Sequence, residues 1–324
     1  MHSGLFPMNK KLATGAILTT VLVWLLLREI DVKVVLDTIS GVPAWGFFGG
    51  LFIYFTYYIF LTLRFDSLIH SRKTPFINLL GITSVHNMLN NLLPARSGEL
   101  SYIYLVKKRF DLRGSEGVAT LLVARIMDFI AIFSYFILAA LFILKIKSIP
   151  ILIAISCVLI VFLLLFLFYL QNMVDLVVLI LERTSSPGVS LCNTIAEKGR
   201  AVSASIKTMS GGRQYLKSFA LTALIWGLRN FMLYFIVISM GISIEFWELV
   251  FAATAMFVMV SLPIQGVAAF GTLEAGWAAG FMMVGVDKEV AISTAFAFHI
   301  ILLAYTVTLG ISGYFFMKLR FDDK

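Results

Sequence analysis

Residues 12–27 and 149–170 contain no charged side chain. A hydrocarbon layer about 30 Å thick is crossed by roughly 20 apolar residues in helical form, so each run reads as a membrane span. The rest of the chain agrees. It is 60% hydrophobic and only 14% charged, where a soluble domain has roughly a quarter of its residues charged. Six full spans are predicted, at about 12–28, 45–64, 117–145, 149–171, 217–240 and 289–317. The fold class is an all-α integral membrane protein. Lys10 and Lys11 precede the first span without a small-residue cleavage site behind it, so it reads as a retained span rather than a signal peptide.

Two shorter pairs lie between the spans, 76–93 with 98–110 and 247–262 with 271–285. Their second arms are short for a full crossing, and Pro94, Gly98, Pro263 and Gly271 interrupt the helical pattern at the junctions. They read as re-entrant hairpins, with two additional crossings as the alternative. The junctions resemble one another. Pro94, Gly98 and Glu99 are followed 26 residues later by Arg125, and Pro263, Gly271 and Glu274 are followed 25 residues later by His299. Paired broken segments in two halves of a membrane chain indicate a transporter site built by an internal repeat.

Charge gives the repeat a direction. With the N-terminus inside, 18 Lys and Arg residues, Arg64 among them, fall on cytoplasmic segments and 5 on the other side, while Arg96, Arg125 and Arg229 lie at membrane depth. The positive-inside bias places both termini in the cytoplasm. Repeat 1, about 45–145, and repeat 2, about 217–317, then have inverted topology. The linker 172–216 contains a turn at 185–188 and a helical-period segment from Val189 to Met209, expected to lie on the cytoplasmic lipid surface. At 45 residues it is too small for a typical catalytic domain.

Ionisable groups in a bilayer cost roughly 2.5–3.5 kcal/mol each on insertion scales, which marks them as candidate functional groups. Arg96 and Glu99 sit where a half-helix begins, a position that attracts anions. Glu99 reads either as part of a phosphate site or as a cap of its own helix paired to Arg96. Arg125 and Asp128 share a helix face, as a local pair or with Arg125 reaching Glu99. The polar run His86, Asn87, Asn90 and Asn91 lines a hydrated cavity or ties helices together. Glu274 and His299 pair, carry a proton, or fill satisfied core positions. Arg229 has no local acid and needs a distant partner or a lipid phosphate. The aromatic run from Tyr54 to Tyr58 reads as packing. Cys157 and Cys192 form no disulfide framework, and the four histidines lack metal-ligand spacing. No nucleotide-binding glycine loop is present, and no cofactor or nucleic-acid partner is expected.

The run Asn90-Asn91-Leu92-Leu93-Pro94-Ala95-Arg96-Ser97-Gly98-Glu99, followed by Arg125-Ile126-Met127-Asp128, resembles the first signature of a flippase-like membrane family. This family includes the transmembrane region of lysylphosphatidylglycerol synthases. Pro263, Gly266, Gly271 and Glu274 resemble its second signature, and His299 stands near a position where the family often has arginine. The resemblance implies movement of polar-headgroup lipids between leaflets of a prokaryotic inner membrane, the cargo being a polyprenyl-phosphate sugar or modified phospholipid. It implies a stand-alone member without the aminoacyl-transfer domain, and hence no enzymatic activity; a homo-oligomer is compatible with it. By this reading Asn90, Asn91, Arg96, Glu99, Arg125, Asp128, Arg229, Glu274 and His299 bind substrate, with Glu99, Glu274 and His299 coupling protons or recognising an amine or sugar hydroxyl. An intramembrane enzyme on a lipid-linked substrate and a small-solute secondary transporter are the alternatives.

Overall fold

A computed structural model of the chain describes Trp24 and residues 32–69, 71–143, 149–184, 190–209, 212–261 and 265–321. The predicted first span at 12–28, the turn at 185–188 and Pro263 lie outside the described residues, apart from Trp24. Every regular element described is helical. In chain order these are α1 (Val32–Ser40), α2 (Ala44–Leu68), α3 (Phe76–Leu92), α4 (Glu99–Phe110), α5 (Gly114–Phe142) and α6 (Ile149–Phe168). They continue with α7 (Leu170–Thr184), α8 (Ser190–Met209), α9 (Gly212–Ser239), α10 (Phe246–Ser261), α11 (Thr272–Met283) and α12 (Lys288–Phe321). Two 3₁₀ turns, Pro94–Arg96 and Val267–Ala269, join α3 to α4 and α10 to α11. Five described helices, α2, α5, α6, α9 and α12, are long and apolar enough to cross a membrane. They match the expected spans after the first.

The packing of one half has a counterpart in the other. Helix α2 lies against α9, α3 against α12, and α5 against α10. Helices α2 and α9 run antiparallel. Near one end a Cβ at Gly46 would come within 2.6 Å of Ser239, and near the other Ser67 Oγ hydrogen-bonds Ser218 Oγ at 2.9 Å. Small residues such as Gly46 and Gly50 permit this approach, and van der Waals contact of that kind holds helices together in lipid, where burial from water supplies no drive.

Both short pairs fold back on themselves. The loops flanking the α3–α4 pair meet at one end of the bundle, where Ser71 N–H donates to Glu116 at 3.1 Å and Arg72 lies 3.8 Å from Asp111. The loops flanking the α10–α11 pair, 241–244 and 284–287, line one crevice. Following the antiparallel spans through the chain puts that crevice at the opposite end, and the two 3₁₀ tips touch between them. The tip of α3 reaches the middle of α12, where Asn91 Nδ2 donates to Thr306 Oγ1 at 3.3 Å.

Two segments differ from expectation. Helix α1 was not anticipated; it packs on α12. Helix α8 does form over the predicted stretch, but its inner face is covered by protein: Ala196, Ile206 and Met209 are buried where α8 packs on α7 and α5. Helix α7 supplies the cover because its own sequence is amphipathic and Val178 fits against Gly199.

A cationic cavity between two hairpin tips

Hairpin one closes through Gly98. Any Cβ there would lie 2.3–2.4 Å from backbone atoms of Leu89 and Asn90, so only glycine lets the start of α4 rest on α3. The Gly98 carbonyl accepts from Ser101 Oγ at 2.5 Å and from His86 Nδ1 at 3.3 Å. Pro94 opens the 3₁₀ turn, and Arg96 within it has φ +53°, a left-handed conformation that costs a non-glycine residue about 1–2 kcal/mol. Its guanidinium holds it there by donating from Nη1 to the carbonyl of Ser261 at 2.9 Å, at the end of α10. Hairpin one is thereby tied to hairpin two. Tip two contains Ala268 and Ala269 at φ +51° and +59°, and Gln265 Nε2 donates to the Val260 carbonyl.

The ionisable groups form two sets. In the first, Arg125 donates to Glu99 Oε1 from Nε at 3.0 Å and approaches it from Nη2 at 2.9 Å. Arg96 Nε lies 3.2 Å from the same oxygen, in an ion pair without a hydrogen bond. Glu99 thus pairs with Arg96, as one of its two sequence readings had it, and with Arg125 as well. Asp128 is held mainly by Arg64 at 2.5 Å and by Trp226 Nε1–H at 3.0 Å, with Arg125 Nη1 farther off at 3.6 Å. Arg64, counted by sequence among cytoplasmic cations, is instead buried in the bundle, 3% exposed. It faces inward because α2 continues to Leu68, which keeps position 64 within the packed helix.

In the second set, Glu274 is fully buried and uses both oxygens. Oε1 lies 2.6 Å from His299 Nδ1, and Oε2 accepts the Gly271 N–H at 2.7 Å. Gly271, at φ +83°, adopts the left-handed turn that starts α11. The anion at this helix start is the protein's own carboxylate.

A cavity with room for several waters, about 100 Å³, opens between the tips and helices α2, α3, α5, α9 and α12. Of the residues singled out from sequence, Asn90, Asn91, Arg96, Arg125, Asp128, Arg229 and His299 line it. Glu99 and Glu274 do not; they stand behind Arg125 and His299 as their partners. His86 and Asn87, read from sequence as lining a hydrated cavity or tying helices together, also line it, and Arg64, Tyr54, Tyr57, Trp226 and Gln265 are wall residues that sequence reading did not assign to the site. Arg229 lies over the rings of Phe257 and Trp226, 4.7 and 5.1 Å from their centroids. Among the described residues no carboxylate forms an ion pair with it.

Neither the curated proteins nor the solved structures contain a match to this chain. A family model does match: that of the lysylphosphatidylglycerol synthase TM region, over residues 12–310. With nearly the whole length covered, the chain belongs to the lysylphosphatidylglycerol synthase transmembrane-region family.

Proposed function

We propose that this protein is a lipid transporter that moves a lipid with a phosphate-bearing polar headgroup between the leaflets of a prokaryotic inner membrane. One observation carries the reading. The cavity between the hairpin tips is walled by four arginines and a single carboxylate, Asp128. Inside a bundle of apolar spans, an excess of cations around an internal cavity is stabilised by an anion. A lipid can place its phosphate there and leave its tails among the helices. The hairpins enter from opposite faces as halves of an inverted repeat, an arrangement that brings a transport site near the midplane. Arg96 is suited to sense the headgroup and the two tips together, since it already bridges them.

The experiment is translocation of a fluorescent anionic phospholipid by the purified protein in proteoliposomes. Arg125→Ala removes a wall cation and the partner of Glu99, and it is expected to abolish translocation in protein that still elutes as a folded species. Normal transport by Arg125→Ala would refute the assignment. Chemical analysis of the lipid after the assay separates this reading from an intramembrane enzyme, which would return an altered lipid.

A further inference from the structure

Counting outward from each carboxylate–cation contact brings the two hairpins into register. Glu99 meets Arg125 between α4 and α5, and Glu274 meets His299 between α11 and α12. Three residues after each glutamate stands a large aromatic with one polar atom, Tyr102 or Trp277. Five residues before each cation stands a threonine, Thr120 or Thr294. All four are buried, none more than 1% exposed.

The two places differ in one respect. At hairpin two, Trp277 Nε1–H donates to Thr294 Oγ1 at 3.2 Å and ties α11 to α12. At hairpin one, Tyr102 OH and Thr120 Oγ1 are both buried, and neither has a hydrogen-bond partner among the described residues. Ile103 and Gly117, beside them in sequence, mark a close approach of α4 to α5, where a Cβ at Gly117 would lie 3.4 Å from Ile103 Cα. Both aromatics also back the cavity. The Tyr102 ring lies 4.6 Å from Phe65 and 5.5 Å from His86, and the Trp277 ring lies 4.6 Å from Phe298; those three residues line the wall. A buried hydroxyl without a partner is costly. Two hydroxyls, each able to donate or accept, can satisfy one another. The bond that hairpin two makes is therefore open to hairpin one in another conformation.

Resting on the transport reading, which requires the cavity to face each leaflet in turn, we infer that Trp277–Thr294 and Tyr102–Thr120 are latches that close alternately. In the conformation described, the latch of hairpin two is closed and that of hairpin one is open. In the opposite conformation Tyr102 OH donates to Thr120 Oγ1, and Trp277 releases Thr294. A bond made in only one of two states shifts their balance by its own free energy.

The test uses the full chain with Cys157 and Cys192 replaced by serine and Ala291→Cys as a reporter. Ala291 is fully buried on the row of α12 that carries Thr294 and Phe298, so a maleimide reaches it when α11 leaves α12. Thr294→Val and Thr120→Val are one chemical change at the two places. Thr294→Val is expected to speed labelling about fivefold, the scale of one hydrogen bond. Thr120→Val and Tyr102→Phe are expected to slow it by a similar factor. Combining those two should slow it no further, because both break the same bond. Unchanged labelling, a change of the same sign at both threonines, or a double variant slowed by the product of the singles overturns the latches. Thermal midpoints, read without the reporter, give a second check. Thr294→Val is expected to lower the midpoint, while Thr120→Val and Tyr102→Phe leave it unchanged or raised, since each removes an unpartnered hydroxyl. A lowered midpoint in those two would show hydroxyls already satisfied by internal water and would also overturn the inference. Labelling needs no lipid to move, so the two readings fail separately. Labelling as expected with no translocation by the wild type would sink the transport reading and keep the latches. Translocation with unaltered labelling would do the reverse.

Discussion

At the residue scale, the pair Arg64–Asp128 is the group whose loss the fold tolerates least. Both partners are buried, 3% and 8% exposed, and they join α2 to α5. Removing one member of a buried pair leaves an uncompensated charge, which in proteins costs about 3–5 kcal/mol, while replacing both with apolar residues is often close to neutral. Arg64→Leu alone is therefore expected to lower the thermal midpoint in detergent markedly. Arg64→Leu with Asp128→Leu should recover much of that loss. A double variant less stable than the single one would show that Trp226 and Arg125 depend on the carboxylate more than the pair itself does. Sequence reading did not find Arg64. It lies near the end of a span and close to Arg72 and Lys73, where a positive-inside pattern absorbs it, and its partner is 64 residues away. Glu274 and His299 were singled out because any charge at depth stands out against apolar sequence. Their contact, and the exclusion of Glu99 and Glu274 from the cavity wall, depend on side-chain direction, which spacing of 25 or 26 residues does not encode.

At the element scale, hairpins are legible where backbone chemistry forces them. Pro94 breaks α3, and the interruption before Gly271 breaks the second pair, so the observed arms end within about two residues of the expected ones. What held the arms together was less visible. In hairpin two, Gly276 and Gly280 are spaced four apart on α11, and a Cβ at Gly280 would fall 1.9 Å from the Ala252 carbonyl. In hairpin one the same task falls to Gly98 alone. Gly98→Ala must push α4 off α3, and that shift also moves Glu99 away from Arg125. The expected outcome is loss of translocation together with lowered stability. A Gly98→Ala protein with wild-type melting and transport would mean that α3 and α4 separate freely, and the tip-to-tip contact would then lose its structural basis. The cover over α8 was hidden for a different reason. An amphipathic sequence states that a face is buried, and it does not state whether lipid or protein buries it.

At the scale of the whole molecule, the five spans and two folded-back pairs among the described residues set the path of the chain, while the face each end occupies rests on charge. With Arg64 moved inside the bundle, the count becomes 17 cationic residues against 5, still a strong bias toward a cytoplasmic position for α8 and for both termini. Asn193 on α8 and Asp287 between α11 and α12 are exposed, and the antiparallel path of α9 puts them at opposite ends of the bundle. Cys157 and Cys192 are free thiols, so the labelling background replaces both with serine. In intact cells a membrane-impermeant maleimide is expected to label Asp287→Cys, and Asn193→Cys only after permeabilisation. The reverse pattern would invert the orientation while preserving the fold. Labelling of both sites from one side is the damaging result. It would require the α10–α11 pair to open or close on the wrong face, and the two tips could not then meet from opposite sides around a shared cavity.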